Sequence, residues 1–145
     1  IVSDKVWQVL VKGSDELGAI GHGWTYSSHP ICAAAGVANL ELIDELGLVE
    51  NAGSTGAYFR KQLTDALAGH RHVGDVRGDG LMAAVDVAMD GAPGARGHEA
   101  QKRLYDIGLN LKSTGDALII APPFIMDDKH LDEIVSKLRT VLMGL

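Results

Sequence analysis

The densest run of chemically capable side chains is His22-Gly23-Trp24-Thr25-Tyr26-Ser27-Ser28-His29-Pro30, a stretch of hydroxyls and imidazoles that ends at a proline. Pro30 sits where a helix would begin, because its fixed φ suits the first helical position and its missing N–H is not needed there. A hydroxyl-rich turn ahead of a helix suits a phosphate. Unpaired N–H groups and the positive end of the helix dipole attract an anion, and a threonine hydroxyl adds a hydrogen bond. Thr25 is the candidate for that bond. The competing reading is an ordinary helix cap, with Ser28 as the capping side chain, and the pattern alone favours the cap.

The other chemically suggestive groupings are weaker. His22, His29, His70 and His72 cluster in sequence, but their spacing fits no closed zinc pattern and no cysteine pair supports one, so a metal site is not expected. Arg77-Gly78-Asp79 spells a cell-adhesion tripeptide, which reads as coincidence within a turn. Gly74 to Gly80 is glycine-rich yet lacks the strand, GxGxxG and helix frame of a dinucleotide site. Glu41, Asp44 and Glu45 fall on the polar side of a helix and form no acid–base pair.

These residues need elements to hold them. Ile1 and Val2 read as the end of a strand, and Ser3 or Asp4 as the cap of a short helix that stops at Gly13. From Gly13 to Pro30 no period is visible, and a loop of that kind in a compact domain is mobile or functional. The small residues of Ile31-Cys32-Ala33-Ala34-Ala35-Gly36 predict a helix that packs close to its neighbours, with Cys32 as a small buried thiol. After a break at Gly47, Val49, Ala52, Gly56, Phe59, Leu63 and Ala66 recur at helical steps, predicting a long amphipathic helix that ends near Gly69. His72–Gly78 and Leu81–Val87 read as a hairpin around Gly78-Asp79-Gly80. Ala100, Leu104 and Ile107 mark a helix stopped by Gly108, and Leu118–Ala121 a strand closed by Pro122-Pro123. A final helix capped by Asp127 carries Leu131, Ile134, Val135, Leu138, Val141 and Leu142 on one face. The organisation is therefore the edge of something larger, a bridging helix, and a compact α+β unit. The unpolar opening at Ile1, without methionine, reads as an internal starting point.

At 145 residues, 46% of them hydrophobic, the chain can build one core. A net charge of −6 and the lack of any Lys/Arg run argue against nucleic acid or an anionic membrane as partner. No apolar run approaches the roughly 20 residues of a membrane helix. One cysteine cannot make an internal disulfide, so the chain reads as cytoplasmic.

The run HGWTYSSHPICAAAGVANLELIDELGLVENA resembles the HG-aromatic-TYSGHP…A-NLEIIE-EGLVENA signature of class-III, ω-amino-acid-type aminotransferases. DVRGDGLMAAVDV, GDALIIAPPF and the last amphipathic helix resemble that family's later blocks in the same order. The resemblance implies an α/β fold, the fold-type-I transferase dependent on pyridoxal 5'-phosphate (PLP). Residues 1–48 would end the large cofactor-binding domain, 49–70 would be a bridging helix, and 71–145 the small α+β domain. It implies a homodimer with active sites at the subunit interface, an amine donor and an α-keto acid acceptor. It places Thr25 on the cofactor phosphate of the partner subunit, with the Trp24 backbone beside it.

The family's cofactor lysine and the acid that holds the pyridine nitrogen protonated belong to blocks upstream of Ile1. None of this chain's lysines lies in such a block, so the isolated chain is expected to be inert and to hold no catalytic residue. Two positions depart from the pattern. Ser28 stands where the family usually has glycine. Lys112 stands where many members have an arginine that grips the substrate carboxylate, and a lysine lacks the planar two-pronged grip of guanidinium. Related readings are a decarboxylase, racemase or mutase of the same fold; a reading from another class is a non-catalytic dimerisation module.

Overall fold

The computed structural model describes residues 2–19, 21 and 23–145. Ile1, Ile20 and His22 lie outside the described residues, and with them the strand end at Ile1 and part of the histidine cluster. The chain divides into two compact units, 1–40 and 41–145.

In the first unit, helix α1 spans Asp4–Leu17. Ser3 precedes it in extended backbone, and Trp7 N–H donates to the Ser3 carbonyl at 2.9 Å. Val2 forms no strand, and the helix does not stop at Gly13 as the sequence suggested. A single interior glycine costs about 1 kcal/mol relative to alanine, less than interrupting the hydrogen-bonded ladder, so α1 runs on to Gly18, whose φ of +89° ends it. The expected irregular stretch therefore begins at Gly18 and not at Gly13.

Helix α2, Pro30–Glu45, buries no side chain within this chain. Ile31 is 75% exposed and Leu40 64%, although apolar residues occupy every side of the helix. A helix apolar all round is built to be surrounded, and this one has no covering layer in the described residues. Cys32, expected to be buried, is exposed for the same reason.

The second unit is built on helix α3, Leu48–Leu67, which starts after Gly47 turns the chain in the left-handed region at φ +57°. Four antiparallel strands follow in the order β1-β2-β4-β3: β1 Val73–Asp79, β2 Met82–Val87, β3 Lys112–Thr114 and β4 Ala117–Ile120. Helices α4, Ala95–Asp106, and α5, Asp128–Met143, complete the unit. In β2 and β4 the period of two sends Ala83, Val85, Val87, Leu118 and Ile120 to one face, where they are buried with Phe59, Leu63, Leu104, Leu131 and Leu138 of the helices. Met82, Ile119 and Lys112 lie on the opposite face and are exposed.

The bridge from α3 to the hairpin is tight. A Cβ on Gly56 would lie 2.2 Å from the Gly80 carbonyl oxygen, so only glycine lets helix and turn approach this closely. Arg60 donates to that same carbonyl at 2.8 Å. At the other side of the helix, Tyr58 donates to Asp132 at 2.7 Å and Asn51 to the Phe124 carbonyl at 2.6 Å. Asp127 caps α5 as expected, accepting from His130 N–H at 3.1 Å.

Candidate functional site

Residues 25–28 form the turn that the sequence singled out. Ser27 N–H donates to the Trp24 carbonyl at 3.0 Å and His29 N–H to the Tyr26 carbonyl at 3.3 Å, which winds the chain into the start of α2. Ala33 N–H donates to the His29 carbonyl at 2.9 Å, so His29, not Ser28, is the residue that precedes the helix, with Pro30 at its first position. Ser28 instead takes φ +61°. That conformation explains why glycine suits the position, and a serine there carries a modest backbone strain.

Thr25 is exposed at the head of this turn, and its hydroxyl has no hydrogen-bond partner among the described residues. Trp24 is 74% exposed and engaged in an interaction of its own. Residues 23–33 include no aspartate or glutamate. The local donors are a neutral hydroxyl and main-chain N–H groups ahead of a sixteen-residue helix, a set that attracts a phosphate and repels nothing about it.

Lys112 belongs to the second unit. It begins β3, pairs with Ile119 of β4, and has no ion-pair partner among the described residues. With Ile119, Pro122 and Pro123 it borders a cleft of about 570 Å³. A flexible ammonium beside apolar walls can attract a carboxylate at the mouth of such a cleft while the walls take aliphatic carbons.

Two structural features that hold β3 were not foreseen. Asp116, in the turn between β3 and β4, accepts from Gly94 N–H at 2.8 Å and from Gly97 N–H at 3.1 Å, which caps α4 from 22 residues away. Those two N–H groups hold its carboxyl below the usual carboxylate range. Gln101 of α4 donates to the Leu111 carbonyl at 2.9 Å and accepts from the Ser113 hydroxyl at 2.6 Å. The chain offers no local periodicity that would announce either contact. Only the Gly115-Asp116 pair, a turn signal, hints at the first.

The remaining motifs resolve structurally. Arg77 is spent on a cross-strand pair with Asp86 at 3.0 Å and on Asp75 at 3.1 Å, and these carboxylates hold its guanidinium still more firmly protonated. Its tripeptide is thus part of β1, not a presented loop. His70 and His72 face each other with ring centroids 5.6 Å apart and planes tilted by 51°, and Arg71 donates to His72 Nε2 at 2.9 Å. Among the described residues no three His, Cys, Asp or Glu side chains come together as metal ligands. No helix there is long and apolar enough to cross a membrane.

Comparison with known proteins meets this geometry from outside. The family described as aminotransferase class-III matches residues 1–142. A diaminobutyrate–2-oxoglutarate transaminase of Halomonas elongata is 43% identical over 94% of this chain and 31% of its own length. An omega-aminotransferase of Caulobacter vibrioides is 38% identical over 97% of this chain and 32% of its own. The crystal structure of an omega transaminase from Pseudomonas jessenii in complex with PMP superposes with a TM-score of 0.88 at 33% identity, covering 99% of this chain and 33% of that one. The chain thus spans about a third of the length of the curated relatives it matches. A match over nearly every residue, in sequence and in fold, makes this chain a member of the class-III aminotransferases, with the α/β architecture of that family.

Proposed function

We propose that the protein to which this chain belongs moves an amino group from an ω-amino acid or primary amine to an α-keto acid, with PLP as cofactor. The observation that carries the reading is the family match over residues 1–142, together with the exposed hydroxyl of Thr25 ahead of α2. The more similar relatives bear transaminase names, which favours amino transfer over decarboxylation, racemisation or mutase chemistry. We assign residues 1–48 to the end of the large domain, 49–70 to the bridging helix and 71–145 to the small domain. The working unit is a homodimer in the cytoplasm, with α2 covered in the assembled protein. Its all-round apolar surface supports that reading against a stand-alone module.

When bound, the cofactor supplies an electron sink for the substrate's α-carbon. This chain's residues bind and orient. Thr25 donates its hydroxyl to the cofactor phosphate of the partner subunit, and the Trp24-Thr25 backbone lies alongside. The dipole of α2 adds a favourable field at the same place. Lys112 attracts the carboxylate of the acceptor, as a point charge without the fixed geometry of arginine. The residue that bonds the cofactor covalently lies outside this chain.

The test uses the full-length protein. Addition of an amine should remove the long-wavelength absorbance of the bound cofactor, and a keto acid should restore it. Thr25→Ala removes one hydrogen bond to a charged group and should weaken cofactor retention by about 10- to 100-fold. An absorbance indifferent to amines, with retention untouched in the variant, refutes both parts.

A further inference from the structure

We infer that Gln101 is a positioning residue for Lys112, setting acceptor preference through the strand that carries it. The inference rests on the reading of Lys112 as the carboxylate contact.

The strand in question is a poor platform. β3 has three residues, lies at the edge of the sheet and pairs with β4 alone. Short edge strands fray, because few hydrogen bonds and little buried area hold them. A four-carbon lysine stem on such a strand spreads its ammonium over many positions, which dilutes any electrostatic contact.

Gln101 counters this. Its amide reaches from α4 to both neighbours of Lys112, donating to Leu111 and accepting from Ser113. The alternation of the strand explains the arrangement. Leu111 is buried and Ser113 half-buried toward the helices, while Lys112 points to the exposed face. One amide therefore holds the strand on either side of the lysine from behind, through the Leu111 carbonyl on one side and the Ser113 hydroxyl on the other. Gln101 is itself half-buried and borders the same cleft as Lys112, so its loss loosens the cleft wall and the cation together. The Asp116 cap secures the turn end of the hairpin, and Gln101 secures the opposite end.

The experiment is a mutant cycle on the full-length, cofactor-loaded protein, with Gln101→Met, Lys112→Ala and the double variant. Gln101→Met keeps the length of the side chain and removes both hydrogen bonds. Three quantities are read: KM for the keto acid (pyruvate or 2-oxoglutarate), KM for a primary amine without a carboxylate, and calorimetric Kd for glutarate as an inert dicarboxylate. Gln101→Met should raise the keto-acid KM and the glutarate Kd by about 3- to 10-fold, with the amine KM moving less than about twofold. In the double variant the effect should not exceed that of Lys112→Ala, since a platform matters only while it carries its cargo. Ser113→Ala, which loses one of the two bonds, should shift the same quantities by a smaller factor and guards against misfolding of the first variant. If Lys112→Ala leaves keto-acid KM and glutarate binding unchanged, the lysine reading fails and this inference with it. If Lys112→Ala acts but Gln101→Met does not, or the two effects multiply, or amine and keto acid shift equally, Gln101 is not the positioning residue and Lys112 stands alone.

Discussion

Gly97→Ala offers a sharp test because two simple arguments give opposite signs. By helix propensity alone, alanine in place of a glycine in the first turn of α4 stabilises by at most about 1 kcal/mol. The packing says otherwise. A Cβ at this position would lie 2.2 Å from the Gly115 carbonyl oxygen and 2.9 Å from the Asp116 Cα, both main-chain atoms that no rotamer change can move. To reach ordinary contact, α4 and the β3–β4 turn must separate by roughly 1 Å, a core overpacking that costs about 3 kcal/mol at the upper end of its range. That separation also lengthens the bonds from Gly94 and Gly97 N–H to Asp116, now 2.8 and 3.1 Å, past the limit of a useful hydrogen bond. The net is a local destabilisation of about 2 kcal/mol. Hydrogen exchange in the full-length protein reads it directly: the amides of Gly94, Gly97 and Val87, whose N–H donates to the Asp116 carbonyl at 2.8 Å, should exchange about 30-fold faster. Unchanged or slower exchange at these amides would refute the steric reasoning and leave propensity in charge.

Leu138→Ala removes a fully buried core side chain of α5 and should cost about 2–5 kcal/mol in unfolding of the second unit, measured by denaturant titration. His72 is pressed below the usual imidazole range, first by burial and then by the charges of Arg96, Arg71 and His70, against the opposing pull of Asp90. The unfolded chain then takes up the proton more readily, so this stability is complete above pH of about 6.5 and is lost as pH falls toward the folded value. The unfolding midpoint should therefore drop on acidification, and His72→Gln should flatten that drop. Tyr58 is pushed up to about 12, chiefly by its hydrogen bond to Asp132, and Asp132→Asn should bring the phenol back toward its ordinary range in an alkaline spectrophotometric titration.

Legibility in the sequence followed the range of the forces involved. The start of α3 after Gly47, the hairpin of β1 and β2 and the cap of α5 at Asp127 were readable, because each rests on a residue's own backbone preference or on a short period. The β3 strand was not: three residues of Lys-Ser-Thr carry no alternation, and what makes them a strand is pairing with β4 and the grip of Gln101. The first turn of α4, Ala95-Arg96-Gly97, carried no signal of its own, since it lacks an apolar stripe and is held by Asp116 across the chain. Thr25 was singled out from hydroxyls ahead of a proline, and the turn that presents it is present. Ser28 misled for an instructive reason: it has the chemistry of a cap but a left-handed φ, and the cap position fell to His29.

The contact of Gly56 with Gly80 reaches beyond packing. With main chain against main chain, there is no layer of side chains that could slide or re-pick rotamers between helix and hairpin, so neither can slip past the other. Any rocking of the sheet must take α3 along as a lever, and the bending is displaced to the helix's leading end, where Gly47 alone has the backbone freedom to absorb it.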